Sequence, residues 1–429
     1  MRMSNKTIIA RNDWARRICW IGAIGSFIYS TPGTSESLRI DVFAALRGIL
    51  PIFCYFLSFL ICFPRDAHLR RINGKPELFL TVFILYCCLS SIWSYNSIGS
   101  LLKSINLGFA YLCVFRIPTL VTNSKFAFNQ LFRISTLFII AGLIEFILVP
   151  DLVFSRPSPT EAKRFNIIVP QIGANLLGIV LFVLIASLIT GNFMQQKKFR
   201  HIKFFYMAIL LLLLYEAHSR LIFATVILVS YYLAIRTAQR LEFGSSRGTY
   251  ARISVFWATL VVINFLISSE SVQGGVVSFF TRGQDSQGLS TLTGRTSVWS
   301  EALSFGNEKP IFGHGFYSGH RYALGSISTI IRSHNNLDNT WIETYIDLGL
   351  LGIFLLACLI AFTFLRLRKI SSEYSQLSIS ILVVIVTNSA YNPGINMPSS
   401  TLIFFAYLIS ESRRHRKIQD GYTLHPEER

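Results

Sequence analysis

Apolar runs of roughly twenty residues, the length that crosses a bilayer, recur about twelve times along the 429-residue chain. They lie near 14–31, 40–63, 78–95, 97–117, 132–154, 171–190, 203–218, 220–236, 253–269, 341–365, 375–391 and 399–410. The pattern predicts an all-α polytopic membrane protein of about twelve transmembrane helices with one large outer loop containing short helices. The expected layout is helices one to nine in 1–269, the large loop in 270–340, helices ten to twelve in 341–410, and a basic tail in 411–429.

The polar interruption is most patterned between Leu292 and Gly352. A helix is predicted to start at Thr293, Gly294 and Arg295, because Val298, Trp299, Ala302, Leu303 and Phe305 follow at helical spacing. Pro310, Gly313 and Gly315 then break it. Arg295 falls in the first turn, where free N–H groups and the helix dipole already favour an anion, so an arginine there suits a phosphate. Further on, His334 and Asn335 precede a helix that runs into the apolar LGLLGIFLLACLIAFTFL. His334 and Asp338 are spaced one turn apart, and Asn339, Glu343 and Asp347 form a second four-residue ladder. Two polar stripes ahead of a membrane span are expected to face something other than lipid.

Composition agrees with the pattern: 52% hydrophobic, 14% charged, mean hydropathy +0.49 and 36 phenylalanines are too apolar for a soluble fold of this length. The net charge of +18 raises nucleic acid as a partner, but no basic patch interleaves with stacking aromatics on a soluble domain. Charge placement accounts for it instead. With the N-terminus inside, the inner segments hold roughly 28 Lys and Arg against roughly 10 outside, which predicts both termini in the cytoplasm. The basic N-terminus lacks a small-residue cleavage site after its apolar run, so a retained anchor is expected. All seven cysteines (Cys19, Cys54, Cys62, Cys87, Cys88, Cys113, Cys358) lie in or beside spans, so neither a disulfide frame nor a cysteine zinc site is expected in the large loop.

Several charges break the apolar runs near the predicted outer face. Arg47 and Lys103 lie in the outer thirds of the second and fourth spans, Arg164 in the loop 155–170, and Arg220 at the outer start of the eighth. With Arg295, and Arg321 or Arg332, they are candidates to line one cationic chamber. Snorkelling to the interface is the plain alternative for Lys103 and Arg220. An unpaired charge at the depth of Arg47 costs about 2.5 kcal/mol or more, so it needs a wet cavity or a partner, for which Glu145 is the candidate. Asn175 and Gly178 open the sixth span, where helix entry and close packing at glycine compete with a functional role. Glu216 to Arg220, including His218, places three ionisable residues in a turn that would ordinarily use Gly, Asn or Pro.

These residues carry a resemblance. LTGRTSVWSEALSFGNEKPIFGHGF resembles a family pattern of an arginine, a tryptophan four later and then Pro-x-x-Gly-x-Gly. DNTWIETYIDLGLLG resembles its His/Asp-Asn helix ending in Gly-x-x-Gly, HSR at 218–220 its Ser-Arg turn, and LSSIWS at 89–94 a motif of its third span. The family is the O-antigen ligase and polysaccharide polymerase superfamily of bacterial envelope glycosyltransferases, and the resemblance runs from about Leu78 to about Gly352.

The resemblance implies an enzyme of the inner membrane that takes a glycan linked through diphosphate to undecaprenol. It transfers that glycan at the outer face to an acceptor hydroxyl, either on lipid A-core or on another lipid-linked repeat. It implies no metal and no cofactor; membrane lipids, a flippase and chain-length regulators are the implied partners, and nucleic acid is not. Arg220 and Arg295 match the family's diphosphate-binding arginines, and Arg47, Lys103, Arg164, His218, Asn335, Asn339 and Glu343 are the expected substrate contacts. Counting back from Gly-Leu-Leu-Gly puts Asp338 and Asn339 on the His/Asp-Asn pair; a four-residue insertion would put His334 there instead. A helix N-terminus keeps an imidazole neutral enough to accept a proton, which favours His334. The Asp-Asn form leans the reading towards a polymerase. Two other classes compete: a transporter or flippase for an anionic or lipid-linked substrate, using Arg47, Lys103 and Glu145 as a pathway, and a scaffold in which Arg295 and His334 are dispensable.

Reporter fusions test the topology. Fusions at Gly74, Gln195 and Ser245 should read as inside and those at Ser286 and Ser318 as outside; an inside reading at Ser286 would put the loop on the wrong side for a lipid-linked donor.

Overall fold

The computed structural model describes residues 5–26, 42–61, 74–119, 124–155, 164–167, 172–189, 200–217, 220–241, 295–326, 337–369, 373–392, 394–397 and 399–419. The fold is helical: α1 Asn5–Gly25, α2 Val42–Ile61, α3 Lys75–Leu89, α4 Ser97–Thr119, α5 Ser124–Leu148, α6 Pro150–Val153, α7 Ala174–Ile189, α8 Arg200–Glu216, α9 Arg220–Leu241, α10 Arg295–Gly306, α11 Gly319–Ser326, α12 Thr340–Arg368, α13 Glu373–Ser389 and α14 Ser400–Gln419. A 3₁₀ turn, Ser90–Trp93, extends α3, and β1 (Phe154–Ser155) pairs antiparallel with β2 (Arg164–Phe165). A helix occupies every expected span position except 253–269, which lies outside the described residues. Among the described residues four helices are long and apolar enough to cross a membrane: Lys75–Trp93, Ser97–Ile117, Gln130–Leu148 and Thr340–Arg368. The other apolar helices are shorter, so the expected count of about twelve spans stays an expectation.

The chain divides into two compact units that interleave along the sequence: Met1–Leu131, Val169–Gln171 and Val298–Arg429 in one, Phe132–Ile168 and Ile172–Ser297 in the other. In the second unit α7 is the core. Its side chains from Ile179 to Ala186 are all but fully buried, and it packs on α8 and α9. Gly178 lets α9 approach, since a Cβ there would stand 2.5 Å from Ile222. The close-packing reading of that glycine therefore has a named partner.

In the first unit α4 packs against α1, α2, α3 and α14. The short apolar part of α14, Thr401–Ser410, is buried on every face, which explains how a run too short to span alone holds together. The other organising pair is α3 with α12, which run antiparallel and are pinned at both ends. Near the start of α3, Glu77 takes both terminal nitrogens of Arg366 in a two-pronged ion pair at 2.6 and 2.5 Å. At the other end the Tyr86 hydroxyl lies 3.0 Å from Leu348 O and 3.2 Å from Phe312 O.

Leu348 O is available because α12 is broken beside it. Gly349 has φ 66° and ψ −165°, a backbone state that L side chains avoid. The loop from Pro310 to Gly315 fills the break. The N–H groups of His314 and Gly315 donate to Ile346 O and Asp347 O at 2.9 and 2.8 Å, and those of Leu350 and Leu351 donate to Pro310 O and Ile311 O at 2.8 and 3.2 Å. Backbone groups that a broken helix would otherwise leave bare in an apolar layer, at several kcal/mol each, are thus satisfied by another segment. The fit leaves no room for a side chain: a Cβ on Gly349 would lie 2.2 Å from Ile311 O, and one on Gly313, at φ +68°, 2.5 Å from Asp347 O.

Replacing Gly349 by Ala should therefore lower thermal stability in detergent by at least about 2 kcal/mol, from strain and lost exchange bonds. Gly48→Ala in α2, where a Cβ meets nothing within 4 Å, should be neutral or stabilising. Equal melting temperatures for the two variants would contradict the docking.

Candidate functional site

The docked loop builds a polar cluster between α3, α4 and the first half of α12. The 3₁₀ turn and its flanks, LSSIWS, are its seat. The Ser90 hydroxyl accepts from Phe316 N at 2.9 Å, the Ser100 hydroxyl donates to Phe316 O at 2.6 Å, and the Ser94 hydroxyl bonds to those of Ser100 and Ser318. Gly315 lies so close that a Cβ would stand 2.4 Å from the Ser94 side chain. The glycines of Pro-x-x-Gly-x-Gly are thus explained by close approach to α12 and to Ser94.

Asp347, the last carboxylate of the predicted ladder, anchors the loop. It accepts from Tyr317 N and His320 N at 2.7 and 2.8 Å, and from the His320 ring at 2.9 Å. Both side chains are buried. Burial alone would hold the His320 pKa down; Asp347, with help from Glu343 one turn away, outweighs it and the net shift is upward. His314 goes the other way, lowered chiefly by burial. Its Nε2 faces Phe305 O at 3.0 Å, which can only accept, so Nε2 carries the proton and Nδ1 accepts from the Tyr95 hydroxyl at 3.3 Å. His314 stacks on Phe305 with centroids 4.1 Å apart.

Asn339 is the N-cap of α12: its Oδ1 accepts from Trp341 N and Ile342 N at 2.9 and 3.1 Å. Thr340 Oγ1 donates to Asn392 O and accepts from Gly394 N, tying the helix start to the segment after α13. Glu343 is fully buried and accepts from Leu337 N at 3.1 Å and Asn396 Nδ2 at 3.4 Å. The Trp299 indole of α10 donates to Leu337 O at 2.7 Å, and Val298, Ala302, Ala323, Leu324, Leu337 and Ile346 share one apolar core.

One expectation about this region needs correcting. Asp338 does not lie in the helix: α12 begins at Thr340, and Asp338 precedes the cap in a left-handed backbone state, φ 52°. His334 and Asp338 are therefore not one turn apart on α12. The cause is Asn339, which uses its side chain to start the helix later than the spacing suggested. His334 itself lies outside the described residues.

The other expected site residues are spread along the chain. Arg220 is the first residue of α9 and Arg295 the first of α10; Arg47 lies in α2 and Arg164 in β2 opposite Ser155. The side chains of these four arginines lie outside the described residues, and with them the Arg47–Glu145 pairing. His218, Arg332, His334 and Asn335 lie outside the described residues altogether. Lys103 and Arg321 are brought together: the Lys103 Nζ stands 4.7 Å and the Arg321 Cζ 4.4 Å from the centroid of the Tyr317 ring. His314, Tyr317 and His320 were not singled out by sequence. They sit inside the quoted GHGFYSGH string, but 27 residues separate His320 from Asp347 and no periodicity links them.

With this geometry in place, one comparison bears on the chain. Residues 205–357 match the family model described as O-Antigen ligase. The matched stretch starts in α8, takes in the arginine-headed helices α9 and α10, and ends in α12 beyond its break. Over this stretch the chain is similar to that family, and the long apolar helices fit a multi-pass membrane protein. No curated protein matches the chain.

The Asp347–His320 pair yields a signed prediction. Because the His320 pKa is raised in the folded protein, its contribution is full below the ordinary histidine pKa of about 6.5 and is lost as pH rises through the raised value. The melting temperature in detergent should fall as pH increases above about 7. Asp347→Asn should cost about 3 kcal/mol at pH 6 and flatten that slope. A wild-type melting temperature independent of pH from 6 to 9 would show that His320 does not titrate there.

Proposed function

We propose that the protein is a glycosyltransferase of the O-antigen ligase and polymerase type. It transfers an undecaprenyl-diphosphate-linked glycan to an acceptor sugar hydroxyl at the outer face of the bacterial inner membrane, with both termini in the cytoplasm. The reaction serves polymerisation of an exopolysaccharide or O-antigen, or ligation to lipid A-core. The observation that carries the reading is the family match, which spans both arginine-headed helices and the broken helix in one stretch.

The chemistry follows from the donor. The acceptor oxygen bonds to the anomeric carbon, the bond from that carbon to the diphosphate oxygen breaks, and its electron pair leaves with the lipid diphosphate. Arg220 and Arg295 neutralise that developing charge, each with a planar fork suited to two oxygens. No nucleotide sugar, metal or cofactor is needed in this scheme. The acceptor proton goes to a base, for which Asp338 is our assignment: it directly precedes the Asn339 cap, in the register of the His/Asp-Asn pair. Arg47, Lys103, Arg164, His218, Asn335, Asn339 and Glu343 complete the set of proposed contacts around the glycan and its diphosphate.

Arg295→Ala and Arg220→Ala should each lower turnover about a hundredfold or more with insertion intact, and Lys at either position should rescue only in part. Between the two candidate bases, Asp338→Asn should be the severe change, by two to four orders of magnitude at about the usual weight of a general base, and His334→Ala the mild one. Activity should then persist below pH 6, towards the ordinary carboxylate pKa of about 4. Purified protein with a synthetic lipid-diphosphate donor, assayed from pH 5 to 8, reads all of these; near-wild-type product from Arg295→Ala would favour a scaffold, and severe loss in His334→Ala alone would restore His334 as the base.

A further inference from the structure

The polar loop presents cations and tyrosines in alternation. Lys103 and Arg321 both stand over the ring of Tyr317. Next to Arg321 in the chain, Tyr322 stacks on Tyr95 with centroids 4.0 Å apart and planes 6° from parallel, and Lys309 Nζ lies 5.6 Å from the Tyr95 ring. Tyr95 and Tyr322 are 48% and 51% exposed, and Lys309 and Arg321 are exposed as well. The series Lys103, Tyr317, Arg321, Tyr322, Tyr95, Lys309 is thus linked contact by contact.

Among the described residues its charge is unbalanced: no carboxylate among them lies within 4.0 Å of Lys103, Arg321 or Lys309. Asp347, below Tyr317, is committed to two backbone N–H groups and the buried His320. Glu308 precedes Lys309 in the chain and acts on Tyr95. Two like charges held on one ring repel each other, and an anion placed beside them relieves that repulsion. The strip is also built to stay put. Tyr317 is fixed by Asp347 in a left-handed backbone state, φ 63°, and Tyr95 by the stack that continues through His314 to Phe305.

We propose that this strip binds an acidic saccharide, one bearing carboxylate or phosphate groups, with a sugar face laid on the exposed ring of Tyr322 at the end of the stack, beside the exposed edge of Tyr95, and the acidic groups met by Arg321, Lys103 and Lys309. Rings alone would suit a neutral glycan and cations alone a bare anion; their alternation over two stacked tyrosines suits a sugar chain that carries both an apolar face and a charge. The inference rests on the glycan-transfer reading for its ligand class. It makes the strip a specificity element for charged repeat units.

The test is binding, with no donor and no turnover. Full-length protein in detergent is titrated with a hexauronate oligosaccharide by calorimetry, beside maltohexaose, inorganic diphosphate and phosphatidylglycerol mixed micelles. Hexauronate should bind at least about tenfold tighter than maltohexaose and weaken with added salt. Arg321→Gln, Lys103→Gln and Tyr322→Ala should each weaken it about fivefold or more while the elution profile and melting temperature stay those of the wild type; Arg321→Gln sits on an exposed position and keeps most of the stem, so it reports even if Lys103→Gln disturbs the helix packing. Unchanged binding by Arg321→Gln and Tyr322→Ala, or equal affinity for maltohexaose, would overturn the proposal. Full displacement by inorganic diphosphate would assign the cations to a diphosphate instead, and full displacement by phosphatidylglycerol would assign the strip to the membrane surface. Residue-dependent hexauronate binding in a protein that transfers nothing would leave the strip standing and remove the transferase reading.

Discussion

One interruption of helical hydrogen bonding governs the described part of this protein. A helix that breaks in an apolar layer must find other partners for its freed N–H and C=O groups, and α12 finds them in the Pro310–Gly315 loop through four backbone bonds. That exchange decides where the loop runs, and the loop decides where Tyr317, His320 and Arg321 stand. The two-pronged Glu77–Arg366 pair and the Tyr86 hydroxyl hold α3 alongside, so the serines of the 3₁₀ turn meet the loop from the other side. A polar segment is thereby built onto membrane helices through backbone bonds of its own.

The charges follow the same logic. Asp347 sits beside the break and commits its carboxylate to the segment that fills it, while Glu343 and Asn339, one and two turns earlier, hold Leu337 N and the helix start. The ladder of polar residues at the head of α12 is in the first place a scaffold for two loops. Whatever substrate meets Asn339 and Glu343 meets groups whose acceptor oxygens already have protein partners, which fixes their orientation before a ligand arrives.

Much of this was readable in the sequence because it is periodic or punctuated. The apolar runs gave helices where they were expected, Arg295 opens α10 as its spacing predicted, and the Pro and Gly residues after Gly306 mark a true break. What escaped was the contact order. Nothing local says that Pro310–Gly315 is the complement of Gly349, or that Lys103 and Arg321, more than two hundred residues apart, share one ring. The start of α12 was misjudged for a different reason: polar residues at four-residue spacing look helical, whereas Asn339 can equally end the repeat by capping.

Asp338 carries a further consequence. A residue with φ 52° pays in backbone energy unless it is glycine, asparagine, aspartate or histidine, the types that occupy this region most readily. The resemblance pattern alternates between histidine and aspartate at this position, two side chains with little in common beyond accepting a proton and tolerating a left-handed turn. The choice of residue is thus narrowed twice, by chemistry and by conformation, and a drift to glutamate would keep the carboxylate yet strain the chain. Local geometry acts here as a filter on which side chains the position can explore.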